Sequence, residues 1–163
     1  ISPQIMPQLT KIFGEYEVFS VEEQLYEEIK DSDTGYSFKG FIDLVIRTSD
    51  GKFHIIDWKT CSWGWDMRRK SDPMVTYQLT FYKYFWAKKH NVDLKDIETH
   101  FALMKRTAKK NHIEIFRVTS GDKKMSNALN FMNKALYNIN REMKIKNRLS
   151  CKRCDLYKTE HCK

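Results

Sequence analysis

Three charged side chains, Asp43, Asp57 and Lys59, interrupt two apolar runs, Phe41-Ile42-Asp43-Leu44-Val45-Ile46 and Phe53-His54-Ile55-Ile56-Asp57-Trp58-Lys59. Charges at the edge of a core must be paired or bound to metal, so their convergence would mark a site. Two carboxylates and a backbone carbonyl such as that of Trp58 are hard oxygen ligands suited to Mg²⁺ or Mn²⁺. A metal there would lower the pKa of a bound water and neutralise charge on phosphoryl oxygens, the chemistry of phosphodiester hydrolysis. Lys59 would orient that water or stabilise the same charge. An isolated Asp-X-Lys is also what a surface hairpin with a solvated ion pair looks like, so its neighbours decide.

The elements that must position these groups are legible. Tyr36 to Arg47 and Lys52 to Thr60 read as strands joined by the turn Ser49-Asp50-Gly51, hence an antiparallel hairpin. Residues two apart on a strand share a face, which puts Asp57 with Lys59 and turns Trp58 away. Ser71-Asp72-Pro73 then opens a helix running to about His90, with Met74, Val75, Leu79, Phe81, Phe85 and Trp86 at helical spacing. Gln78 and Tyr82 are four apart and therefore stacked on one helix face, Gln78 interrupting the apolar stripe, where a core glutamine with its hydrogen bonds satisfied is the plainer reading.

Gly-X-X-Asp at Gly40 to Asp43, Asp-X-Lys at Asp57 to Lys59 and Gln-X-X-X-Tyr at Gln78 to Tyr82, in this order on strand, strand and helix, resemble the RecB-like, Cas4-like exonuclease branch of the PD-(D/E)XK nuclease superfamily. The resemblance covers roughly residues 17 to 106. It implies that Asp43 and Asp57 hold the metal, that Lys59 is the catalytic lysine, and that Gln78 and Tyr82 support the site and contact DNA. Many members carry a histidine or glutamate on a helix ahead of the first strand. The sequence shows no clear counterpart; Ile1 in place of a start methionine leads to the expectation of a piece of a longer chain, in which the missing helix could lie upstream of Ile1.

The remaining segments fit one domain. A chain of 163 residues, 41% hydrophobic, suits a single core, and its net charge of +8 favours a polyanionic partner. No apolar run approaches the ~20 residues of a membrane span, so the expectation is an intracellular protein with no membrane partner. Glu17 to Ile29 alternates as a strand with Phe19, Val21, Leu25 and Ile29 on one face; Glu23 shares that face and reads as structural. Asp31 to Gly35 is a turn. Ile97 to Arg106 and His112 to Thr119 are two more strands joined by the basic turn at residues 107 to 111. A last helix opens near Ser120-Gly121-Asp122, with Met125, Leu129, Met132, Leu136, Ile139 and Met143 on its apolar stripe and Lys123, Lys124, Lys134, Arg141, Lys144 and Lys146 on its polar face. The fold expected is α/β, a central mixed five-stranded sheet flanked by helices, the restriction-endonuclease-like core.

Two further stretches carry chemistry. Between hairpin and helix, Trp63, Trp65, Arg68, Arg69 and Lys70 fall in a stretch that reads as a loop, combining stacking surfaces with phosphate-binding charge, although the tryptophans could equally cap the core. Cys151, Cys154 and Cys162 crowd the end of the chain, a spacing that argues for bound metal rather than disulfides in an intracellular protein. The resemblance implies a 4Fe-4S cluster completed by an upstream cysteine; a Zn²⁺ site using His161 is the other route, and Cys61, next to the catalytic strand, is a poor fourth ligand. The boundaries expected are a nuclease core at 1–148 and a cysteine-rich tail at 149–163. Together these readings describe a metal-dependent exonuclease acting on single-stranded or frayed DNA ends, possessing a place in DNA repair or recombination. The alternatives are a silent DNA-binding module of a larger helicase-nuclease and a zinc-stabilised interaction domain.

Overall fold

The computed structural model describes residues 2–29, 35–145, 151 and 153–162. A short helix α1 (Ile5–Phe13) leads into β1 (Tyr16–Glu28), β2 (Ser37–Thr48) and β3 (Phe53–Cys61); α2 (Met67–Ser71) and α3 (Pro73–His90) follow, then β4 (Ile97–Lys105), β5 (Ile113–Val118) and α4 (Asp122–Asn140). The five strands form one mixed sheet in sequence order. All neighbours are antiparallel except β3 and β4, which run parallel, with α3 in the connection between them. The α/β architecture is the one expected from the sequence.

Local chemistry sets the elements. Thr48 accepts the Gly51 amide at 2.9 Å and Gly51 takes φ +85°, the left-handed backbone that closes the β2–β3 turn and favours glycine. Asp72 caps α3 by accepting the Met74 amide at 2.9 Å, Pro73 supplies the first turn, and Asn91 ends the helix in left-handed backbone. Helix α3 is the centre of the larger core: Leu79, Phe85 and Trp86 pack on Leu25, Ile42, Val45, Ile55 and Phe101, with Met132 and Leu136 of α4 joining them. The opposite face of the sheet carries a smaller core of Leu44, Ile46, Ile56 and Ala102 under Leu9 of α1.

Four expectations change. A helix does precede the first strand, α1, though Ile5–Phe13 contains neither histidine nor glutamate. Val21 is 64% exposed instead of facing the core. The β1–β2 register slips between Val18 and Ser20 and Glu22 adopts φ +46°, so the alternation of β1 breaks twice before resuming at Leu25. The apolar stripe of α4 is covered from Met125 to Leu136 but lapses at Ile139, 58% exposed, and Met143 lies past the end of the helix. Residues 67 to 71, read as loop, form α2 because Asp66 accepts the Arg69 amide at 2.8 Å and caps the turn. The expected turn at 31–34 and Lys146 lie outside the described residues.

Candidate active site

The site begins where the β2–β3 ladder stops. Pairing runs from Arg47 opposite Phe53 to Leu44 opposite Ile56, and one further step would set Asp43 opposite Asp57. There the strands part, and the Asp43 carboxylate takes over the missing ladder bond: its Oδ2 accepts the Trp58 amide at 2.7 Å. The N–H and C=O of one strand residue point to the same side, so the Trp58 carbonyl also faces this opening. Beyond it, β3 keeps its full parallel pairing with β4, which holds Asp57 and Lys59 on a rigid element.

Asp57 is 2% exposed. Lys59 Nζ stands 2.7 Å from its Oδ2, a close ion pair that is the only partner of this buried oxygen among the described residues. The other oxygen, Oδ1, accepts Gln78 Nε2 at 3.1 Å. The same amide nitrogen donates to the Tyr82 hydroxyl at 3.0 Å, so Gln78 is the hinge of a chain from helix to carboxylate. Burial pushes the Asp57 carboxyl above its ordinary range, Lys59 pulls it back, and the charge of Asp43 raises it again. A buried carboxylate, a second carboxylate close enough to raise its pKa and a backbone carbonyl turned the same way fit a hard divalent cation.

Gly40 explains its own place in the set. A Cβ there would come 2.8 Å from Tyr82 Cε1, so the tyrosine ring lies against bare backbone, and any side chain at position 40 would displace it. Tyr82 is 7% exposed, and its position in turn supports Gln78. The structure therefore brings Gly40, Asp43, Asp57, Lys59, Gln78 and Tyr82 into one connected group.

The stretch after β3 divides. Trp63 is 76% exposed. Trp65 is half-buried, its ring 5.1 Å from that of Phe101 and 6.2 Å from that of Phe116, with the Arg69 guanidinium 4.6 Å above it. Arg68 and Arg69 are exposed, whereas Lys70 is paired with Glu114, which Lys105 also approaches at 3.5 Å. Glu114 was invisible as a partner in the sequence because it comes from β5, 44 residues away from Lys70. Cys151, Cys154 and Cys162 are all free thiols, and they form no cluster of ligating atoms among the described residues. The one group of three metal-ligating side chains found among those residues is His54, Glu98 and His100, on the other face of the sheet. Sequence reasoning missed it, although Glu98-Thr99-His100 has the alternation that places two ligands side by side on a strand.

Glu23 is structural, as its sequence context suggests. Its carboxylate accepts hydrogen bonds from Ser20 at 2.6 Å, Trp86 at 3.0 Å and Lys89 at 2.7 Å, and meets His90 at 2.6 Å. Burial alone would raise its pKa, but the donors Lys89, Ser20, His90 and Trp86 outweigh that and lower it to about 2.

Residues 5–159 match the family described as the PD-(D/E)XK nuclease superfamily. Among solved structures, the chain is similar to a candidate exonuclease from Eubacterium rectale, with a TM-score of 0.56 and 17% identity over 95% of this chain and 56% of that one. It is also similar to the protein SSO0001, with a TM-score of 0.53 and 16% identity over 94% of this chain and 64% of that one. At these identities the likeness establishes the fold, and the chain spans less than two thirds of either structure's length. No curated protein matches the sequence. Among the described residues no helix is long and apolar enough to cross a membrane.

Proposed function

The chain belongs to the PD-(D/E)XK nuclease superfamily, and we propose that within it the protein is a Mg²⁺- or Mn²⁺-dependent deoxyribonuclease that trims single-stranded or frayed DNA ends. The observation that carries this reading is Asp57, a buried carboxylate held by Gln78 at one oxygen, paired with Lys59 at the other, and close enough to the Asp43 carboxylate to have its pKa raised by it. Asp43, Asp57 and the Trp58 carbonyl would hold the cation, which when bound supplies neutralising charge and a water of lowered pKa.

The chain's own residues do the rest. Gln78 fixes the Asp57 rotamer by donating to Oδ1 while Tyr82 anchors the amide, so the carboxylate stays in the geometry that the cation needs. Lys59 is held by Asp57 with its side chain 32% exposed, close enough to the carboxylates to orient the attacking water and open enough to reach a phosphate oxygen. Trp63, with Arg68 and Arg69 beyond it, offers an open ring and two exposed cations, Arg69 resting over the Trp65 ring, to a single strand approaching that lysine; Trp65 and Lys70 act more as the framework of the same loop.

The description of the Eubacterium rectale protein as an exonuclease supports end trimming, and the RecB-like resemblance supports a role in DNA repair or recombination, alone or within a larger helicase-nuclease. The same resemblance supports a cysteine-rich tail from residue 149 that binds a 4Fe-4S cluster or Zn²⁺ through Cys151, Cys154 and Cys162 with a further ligand, next to a nuclease core at 1–148. The direct test is incubation with end-labelled single- and double-stranded DNA in Mg²⁺, Mn²⁺ or EDTA. Metal-dependent shortening from the ends supports the reading; no cleavage of either substrate in either metal refutes it.

A further inference from the structure

On the face of the sheet turned away from Asp57, a second set of ligands converges. The parallel register of β3 and β4 sets His54 beside Glu98 and Ile56 beside His100, and strand alternation turns all three polar side chains toward α1. His54 Nδ1 lies 3.2 Å from His100 Nε2, and Glu98 Oε2 lies 3.9 Å from each of these nitrogens. A tetrahedral Zn²⁺ with bonds of about 2.0–2.1 Å holds its donors roughly 3.3 Å apart. The two nitrogens are already at that spacing. The carboxylate oxygen, too far for a hydrogen bond to either ring, would close the triangle by moving in about half an ångström.

The surrounding hydrogen bonds prepare the ligands. The Thr48 hydroxyl gives its proton to Asp50 Oδ1 at 2.5 Å, so at 3.1 Å from His54 Nε2 it can only accept. This contact, the outer hydrogen bond that orients a ligating histidine, favours the tautomer with the ring proton on Nε2, which leaves the Nδ1 lone pair aimed at His100. Arg117 at 3.2 Å and Lys52 at 3.5 Å occupy Glu98 Oε1, leaving Oε2 for the histidines. In the metal-free protein the two rings share a hydrogen bond, and His100, 4% exposed, has no hydrogen-bond partner at its other nitrogen, Nδ1. Phe13 of α1 packs on both rings, its centroid 4.8 Å from that of His54 and 5.0 Å from that of His100, which closes the group from that side.

We propose that His54, Glu98 and His100 form a structural site for Zn²⁺ or a similar first-row transition ion, separate from the nuclease site and clipping β3 to β4 near the start of both strands. Two imidazoles and one carboxylate select such an ion over Mg²⁺, which prefers an all-oxygen shell. The site leaves a fourth position for water and lies behind the strand that carries Asp57, so it would steady that strand without meeting substrate.

The test uses the full chain carrying Asp57→Asn with Cys61, Cys151, Cys154 and Cys162 changed to serine, so that neither the paired nuclease carboxylates nor thiols compete for zinc. After equilibration with Zn²⁺ and removal of loose metal by gel filtration, elemental analysis should give one equivalent of zinc. Co²⁺ in its place should give the visible d–d bands of a four-coordinate site, and Zn²⁺ but not Mg²⁺ should raise Tm. Adding Glu98→Gln should remove all three signals; its side chain is 15% exposed, so folding should survive, which circular dichroism checks. His54→Gln is the second variant, expected to behave alike. Absence of retained zinc, or unchanged zinc and Tm response in a folded Glu98→Gln variant, would overturn the proposal. Retained zinc and Tm are read without DNA, so neither outcome depends on DNA cleavage.

Discussion

Asp57→Asn separates function from stability. The substitution is isosteric and keeps an oxygen for Gln78, but it removes the charge from a group that is 2% exposed. Two effects on stability oppose each other. Burial raises the Asp57 pKa, so ionising this carboxyl costs the folded state free energy at neutral pH, and asparagine removes that cost. Against this, Lys59 loses its partner at 2.7 Å. Because the Lys59 side chain is 32% exposed, its ammonium can turn to water, and the loss is closer to that of a surface pair, about 0–1 kcal/mol, than to that of a stranded buried charge. The two terms nearly cancel or leave the variant slightly more stable.

The sign with pH follows. A folded-state pKa above the unfolded one means that stability from this group is fully present below the unfolded pKa and falls as pH rises through the folded pKa. The wild type should therefore lose ground to Asp57→Asn as pH rises from acid toward neutral, in metal-free buffer. Activity behaves differently. Losing a ligand to a catalytic cation removes several kcal/mol of transition-state stabilisation, and at 1.36 kcal/mol per factor of ten the single-turnover rate on end-labelled DNA should fall at least about 100-fold. Mg²⁺ or Mn²⁺ should raise the Tm of the wild type more than that of the variant, since only the former has the complete set of ligands. Cleavage within about tenfold of wild type, or an equal Tm rise with metal in both proteins, would refute the placement of the cation at Asp57.

Three more outcomes are expected. Gly40→Ala should drive Tyr82 from its position, costing about 1–3 kcal/mol of stability as an overpacked contact and slowing cleavage through Gln78; the paired variant Gly40→Ala/Tyr82→Leu should regain Tm but not rate, and an unchanged Tm in Gly40→Ala would contradict the 2.8 Å approach. Trp63→Ala should weaken binding to a labelled single strand by about 1–3 kcal/mol in a fluorescence titration and leave Tm alone, whereas Trp65→Ala should lower Tm by exposing Phe101 and Phe116; the reverse pattern would show that the two rings have been given each other's roles. Glu23→Gln should destabilise at pH 7 by an amount on the order of 3 kcal/mol, because a pKa lowered from 4.5 to about 2 supplies stability above the unfolded pKa that disappears as pH falls toward 2. Denaturation at pH 7 and at pH 3 checks it: the gap between the two proteins should narrow in acid, and a constant gap would mean that the ion pairs contribute nothing.

The face of the sheet that carries Asp57 was legible because its residues are set by local periodicity. Alternation put Asp57 and Lys59 on one face, helical spacing stacked Gln78 on Tyr82, and the order of the motifs placed strand, strand and helix around one opening. What sequence could not supply was the partner arriving from elsewhere in the chain. Trp63 and Trp65 look equivalent in sequence, but only Trp65 has Phe101 and Phe116 beneath it. Arg68, Arg69 and Lys70 form one cationic run, yet Glu114 removes Lys70 from the group open to phosphate. In β1 the loss has a backbone cause: an apolar alternation of Phe19, Val21 and Leu25 survives in sequence across a register slip that no side chain announces.

The same limit explains why one face of the sheet was read and the other was not. Every strand has two faces, and a hydrophobic run with one charged residue draws attention to the charge. In β3 that residue is Asp57, while His54, neutral and polar, passes as a core histidine until β4 sets Glu98 beside it and His100 one step further along. The parallel register therefore does two jobs with one pair of strands. Asp57 and Lys59 face α3, where Gln78, anchored by Tyr82, holds the carboxylate; His54, Glu98 and His100 face α1, where Phe13 covers the rings. A displacement of β3 against β4 would disturb both faces at once, which is why occupancy of the histidine side, if zinc binds there, should narrow the motion of Asp57 without any contact between the two sites. Hydrogen exchange of the Ile55 to Lys59 amides with and without Zn²⁺ measures that coupling, and unchanged exchange in a protein that has taken up one zinc would show that the faces act independently.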